Sequence, residues 1–319
     1  MSIKFLETSS ILIIALLSVT CSNAQGDFQR GKARHLNGFK LTNPKISDRE
    51  IRRGGPPRDG IPSIDHPDFA EAYDARFLSK SDAVLGVEVN GVAKAYPIRI
   101  LNYHEIVNDD FDGEPVVIAF CPLCGSGMAF SAKIDGEAKT FGVSGLLYNS
   151  DVLLYDRQTQ SLWSQIMMQA VTGSDSGKKL DFLPTTATTW ENWRAAHPTT
   201  LVLTTDTGYS RNYNATPYQG YETSNSLMFP VNHSNKDYPK KEKVIGIEID
   251  GKFKAYPFSE LRKSGEEVED EFNGQKLVVH FDKKAKAASI TDEEGKELPA
   301  VTLFWFAWYA FHPETEVFE

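Results

Sequence analysis

Val84 to Pro97 reads VLGVEVNGVAKAYP, and Val244 to Pro257 reads VIGIEIDGKFKAYP. At an offset of 160 the two stretches share eight of 14 positions, and four of the others are Leu/Ile, Val/Ile or Asn/Asp exchanges. Apolar and polar residues alternate on both sides of Asn90-Gly91 and Asp250-Gly251. Alternation around Asn-Gly or Asp-Gly predicts a β-hairpin closed by a type I′ turn, and Pro97 and Pro257 end the second strands because proline cannot donate to a ladder.

Outward from the hairpins the pattern continues. Each is followed by a short helical or turn segment, Ile98 to His104 and Phe258 to Lys263, then by an acidic stretch with a turn pair, Asp112-Gly113 and Asn273-Gly274. An apolar strand comes next, Val116 to Phe120 and Leu277 to Phe281, and the first copy adds a hairpin from Met128 to Phe141. This predicts a mainly β (α+β) chain: two pseudo-repeated hairpin-helix-strand modules, at about 84–141 and 244–312, within one β-rich domain 61–319, with Gly142 to Asn232 as an insert between them. One pseudo-symmetric fold and two joined halves fit this pattern equally. The best helix signal lies in the insert, where Thr188 and Glu191 have capping-box spacing ahead of Trp190 to His197 and Pro198 stops the run.

Residues 1–24 read as an export signal, with Lys4, the apolar run Ile11 to Val19 and small residues Ser22 to Ala24 before the cleavage point. A rival reading makes Ser18-Val19-Thr20-Cys21 a lenient lipobox, with Cys21 as the lipidated N-terminus. Both place the chain outside the cytoplasm, periplasmic or membrane-anchored, and the lipid anchor is the only membrane attachment expected. Residues 25–60 carry nine basic side chains against four acidic ones, which fits a linker or an arm laid on the surface. The whole chain, 319 residues with 41% apolar residues and a net charge of −9, has enough apolar residues for a core and too little positive charge for a nucleic-acid binder. No protein partner is legible. Neither a phosphate-cradling glycine loop nor a nucleophile elbow occurs, so no nucleotide cofactor is expected.

The duplication supplies an internal control. His104 aligns with Ser264, Cys121 with Asp282 and Cys124 with Ala285, so the first copy alone holds an imidazole and two thiols. Cys121-Pro122-Leu123-Cys124 follows an apolar strand directly. As a disulfide it would close a loop worth only ~2 kcal/mol. Two thiolates at this spacing with His104 make a three-ligand site for one copper or zinc ion. Met128 in the fourth position would favour copper, and Glu105 or water would favour zinc. The alternative is thiol-disulfide exchange with His104 lowering the thiol pKa, although no helix N-terminus activates the first cysteine; an inert disulfide is the third reading. Whether the chain is an enzyme stays open. His312 is a further candidate ligand, and Trp305 to Phe311 read as core aromatics.

Several motifs in order, Gly54 to Pro57 with Asp59 to Pro62, Ala95 to Pro97, His104 to Asp109, Cys121 to Cys124, Asn149 to Asp151 with Tyr155 to Arg157, and Trp305 to Pro313, resemble the bacterial and archaeal family called domain of unknown function 3179. The resemblance runs from about Gly54 to the C-terminus. It implies an exported or membrane-attached protein without an assigned reaction. It also singles out Asn149, Asp151, Asp156 and Arg157 as residues that orient His104 or a substrate group, against a buried turn network for Asp156 and Arg157.

Overall fold

The computed structural model describes residues 33–319. Both quoted stretches are hairpins. Ala83–Val89 pairs antiparallel with Val92–Pro97, and Lys243–Ile249 with Lys252–Pro257. Positive φ at both turn residues, 53° and 80° at Asn90-Gly91 and 49° and 76° at Asp250-Gly251, is the type I′ geometry that Asn, Asp and Gly tolerate.

The shared Lys-x-Tyr has a physical cause. Residues two apart on a strand face the same way. Lys94 Nζ lies 2.9 Å from Asp109 and the Tyr96 hydroxyl donates to the same carboxylate; Lys254 and Tyr256 reach Asp270 at 2.6 and 2.8 Å. Each hairpin sits in a matching sheet. Thr186–Thr189 flanks the first, Trp190–Ala196 is a helix, and Leu201–Leu203 returns parallel to Val92–Pro97. Beside the second hairpin, Ala300–Phe304, the helix Trp305–Phe311 and Glu316–Val317 do the same. Both helices drop a tryptophan onto a hairpin glycine. A Cβ at Gly86 would overlap the Trp193 ring, and one at Gly246 the Trp308 ring.

After each hairpin a seven-residue helix, Ile98–His104 or Phe258–Ser264, leads into a three-stranded meander. The first meander is Ile106–Phe111, Glu114–Cys121 and Ser126–Ser131; the second is Glu267–Phe272, Gln275–Asp282 and Ala287–Asp292. A fifth sheet comes from the insert, with Gln169–Thr172, Leu162–Ser164, Asp151–Asp156 and Phe141–Tyr148 in spatial order, and Arg52–Arg53 on its edge. The protein is therefore mainly β, its described residues forming five sheets of three to five strands in a five-bladed, propeller-like arrangement.

The basic segment, expected as a linker or arm, is packed from residue 34 onward. Arg34–Leu36 pairs with Phe39–Leu41, and Phe39, Leu41 and Ile51 are buried against Leu146, Leu153 and Tyr155. Phe39, Leu41 and Ile51 thus anchor residues 34–60 against the insert sheet, despite the charge that dominates the segment's composition. The export signal, Cys21 and residues 25–32 lie outside the described residues.

Candidate functional site

The strand Glu114–Cys121 carries Cys121 at its end, and Cys121 pairs with Ser126 across a tight turn. The Cys124 amide donates to the Cys121 carbonyl at 3.2 Å, while Gly125 takes a positive φ of 63° to complete the turn. Clamps come from two other elements. Phe304 N–H donates to the Cys124 carbonyl at 2.8 Å, and the Gln165 amide bonds Ser126 Oγ at 2.9 Å and the Ala119 carbonyl at 2.7 Å. Both thiols are reduced and fully buried.

Asp151 is the third group. Its carboxylate and the two sulfurs lie within 4.8 Å of one another. The strands Phe141–Tyr148 and Asp151–Asp156 are joined by Asn149-Ser150, with φ of 49° and 66°. A left-handed serine is unfavourable, and the turn is held from outside. Ser150 Oγ donates to the Phe229 carbonyl at 2.8 Å, Asn149 Nδ2 to the Ala310 carbonyl at 3.1 Å, and Asn232 N–H to Asn149 Oδ1 at 2.9 Å. So held, the turn aims the Ser150 carbonyl at Cys121 and Cys124, 3.7 and 3.5 Å from their Sγ atoms. Asp151 Oδ2 accepts from the Ile166 amide at 3.1 Å, whereas Oδ1 is buried and has no partner among the described residues.

His104 is not part of this cluster. Its Nδ1 bonds the Pro62 carbonyl at 2.7 Å and its Nε2 the Tyr213 hydroxyl at 2.6 Å, so both ring nitrogens are engaged elsewhere. Burial lowers its pKa, which fits a neutral ring. The groups that converge here are therefore Cys121, Cys124 and Asp151, and His104 is not among them. Asp156 and Arg157 form a turn network away from the sulfurs. Asp156 accepts from Lys139, Thr159 and the Trp163 indole, and Arg157 binds Ser63 and Asp65. Met128 is buried on the face of its strand that also borders an apolar cavity with His312, and His312 lines that cavity rather than the cysteine cluster. Asn149 positions the Ser150 turn.

The internal control also finds its explanation. Cys121 and Asp282 both end their strands, but Asp282 is exposed and accepts the Lys284 and Ala285 amides at 2.8 Å. Burial of this position is confined to the first meander, where the insert sheet brings Asp151 over it.

Around the cluster stand Glu105, which the sequence offered as a fourth ligand, and residues that sequence reading had passed over, Tyr218, Tyr221 and Lys241. Glu105 is buried just after the helix Ile98–His104, with φ of 57°, and the Tyr218 hydroxyl donates to it at 3.5 Å. Lys241 Nζ stands 3.0 Å above the Tyr221 ring and donates to the Tyr221 carbonyl at 3.2 Å. The Tyr221 hydroxyl is buried without a partner among the described residues. The tyrosines come from a Tyr- and Asn-rich loop whose aromatics have no periodic spacing. Burial pushes the protonation equilibria toward neutral forms: both thiols are raised, Asp151 to about 7 and Glu105 to about 8, and Lys241 is lowered to about 8.

A propeller-like β-protein with a buried Cys-Cys-Asp cluster is the class that fold and site define. Residues 58–315 match the family model described as "Protein of unknown function (DUF3179)", and the chain belongs to that family. No curated protein and no solved structure matches it. Among the described residues no helix is long and apolar enough to cross a membrane.

Proposed function

We propose that the protein binds one zinc ion through Cys121, Cys124 and Asp151. The observation that carries this reading is the convergence of three buried ligand groups within 4.8 Å, one of which keeps an unpartnered carboxylate oxygen. An unpaired buried oxygen is costly, and a cation removes the cost. The donor set favours zinc over copper(I), because a carboxylate is a hard ligand and zinc accepts mixed sulfur and oxygen donors. Charge balance favours it too. Two thiolates and a carboxylate are offset by a dication together with Lys241, which interacts with Cys124; a monocation would leave a buried negative charge. Three protein ligands leave a fourth position open, the pattern of zinc sites that activate water or substrate.

Thiol exchange fits less well. Burial raises both thiol pKa values, opposite to the shift a nucleophilic cysteine needs. The two matching sheets are read as duplicated modules, of which only the first carries the site. Export through residues 1–24 belongs to the same reading.

Metal analysis of protein purified without a metal-binding tag tests it. About one equivalent of zinc is expected in the wild type, none in Cys121→Ser/Cys124→Ser, and a 10- to 100-fold weaker affinity in Asp151→Asn. A metal-free wild type whose cysteines form a reversible disulfide and turn over a model disulfide would overturn it in favour of redox chemistry.

A further inference from the structure

A cavity of about 360 Å³ opens away from the thiols, at the seam between the first meander with its insert and the second hairpin sheet. Met128, Met168 and Phe182 wall one side, Phe253, Trp308 and His312 the other. Its size and mostly apolar lining are those of a small-molecule site.

The most buried polar side chain in its lining is His312. His312 is only 8% exposed, stacks on Phe253 with ring centroids 3.8 Å apart, and makes no side-chain hydrogen bond among the described residues. Its ring nitrogens are not sealed off as buried unpaired atoms, so in a side chain that lines the cavity they are open to a ligand. The matching sheet shows the closed arrangement. There His197 Nδ1 lies 3.0 Å from Glu88 Oε2, with the ring stacked on Trp193. In the second sheet the corresponding Glu248 lines the cavity without bonding His312, and Phe253 stands where the first has Ala93. The pair that is joined in one sheet is not joined in the other, where both residues line the cavity.

We propose that this cavity binds an uncharged, largely apolar small molecule carrying one hydroxyl group. Its body lies among the aromatic and methionine side chains, and its hydroxyl donates to the His312 imidazole. Burial holds that ring neutral, with a pKa of about 3, so that one ring nitrogen is an acceptor. Glu248 and Asp250 in the lining disfavour an anion.

The test uses full-length protein carrying ¹³C-methyl methionine, with 4-ethylphenol, ethylbenzene and 4-ethylbenzoate as probes. Of the five methionines, Met128 and Met168 line the cavity and Met228 is exposed. Saturable shifts of the Met128 and Met168 methyl signals are expected with 4-ethylphenol, with Met228 unmoved. 4-Ethylphenol should bind about tenfold tighter than ethylbenzene, the increment of one well-placed hydrogen bond, and 4-ethylbenzoate most weakly. In His312→Phe the hydroxyl preference should vanish while ethylbenzene still binds. The proposal is overturned if 4-ethylphenol leaves Met128 and Met168 unshifted, if the wild type binds 4-ethylphenol and ethylbenzene alike, or if the preference survives in His312→Phe. Should that variant fail to fold, the wild-type comparison decides alone.

Discussion

Glu105 shows how burial converts a surface-type residue into a pH-dependent one. Its carboxyl, raised from 4.5 to about 8, keeps a proton in the folded chain that the unfolded chain releases. The stabilisation is fully present below the unfolded value and is lost as pH rises through about 8, with a slope of up to ~1.4 kcal/mol per pH unit. Asp151, raised to about 7, acts in the same sense. Thermal melts of the metal-free protein should therefore decline between pH 5 and 8, and Glu105→Gln should flatten that decline; an unchanged slope would show that the carboxyl is ionised in the fold. At this scale the Cys-x-x-Cys pair was legible because its members are neighbours in the chain. His104 was misplaced as a ligand because its actual partner, Tyr213, is 109 residues away in sequence. Asp151 was visible as part of a motif, but nothing in its local sequence brings it over the thiols.

Hairpins are local objects, so the Asn-Gly and Asp-Gly turns could be read directly. The helices beside them could not. Trp190-x-x-Trp193-x-x-x-His197-Pro198 and Trp305-x-x-Trp308-x-x-x-His312-Pro313 match at an offset of 115, not 160, because more residues separate the first hairpin from its helix than the second from its own. A comparison at one offset passes over them. Their packing is strict: each second tryptophan lies against a hairpin glycine, and its indole N–H donates at 2.9 Å to Thr200 or Thr315. Gly246→Ala must displace Trp308, and an overpacked core loses about 1–3 kcal/mol. Urea denaturation should show that loss, with a similar one for Gly86→Ala against Trp193. A neutral result at either glycine would mean that the indole has room to shift.

Over the whole molecule, three apolar residues anchor a segment whose composition is dominated by charge. Residues 25–60 read as a linker or a surface arm, and within them Phe39, Leu41 and Ile51 bury against the insert sheet while Asp59 accepts from the Tyr155 hydroxyl at 2.7 Å. Burying one such side chain is worth about 1.5–3 kcal/mol. Deleting residues 33–55 should lower stability by several such increments, read as a drop in the denaturant midpoint; an unchanged midpoint would favour the linker reading.

The turn at Asn149-Ser150 is moored to Phe229, Asn232 and Ala310, all far downstream. A ribosome releases Cys121, Cys124 and Asp151 many residues before it finishes Ala310. The cover over the two sulfurs is therefore tied to a carbonyl 161 residues downstream of Asn149, so a chain cut short before the helix Trp305–Phe311 would lack that mooring.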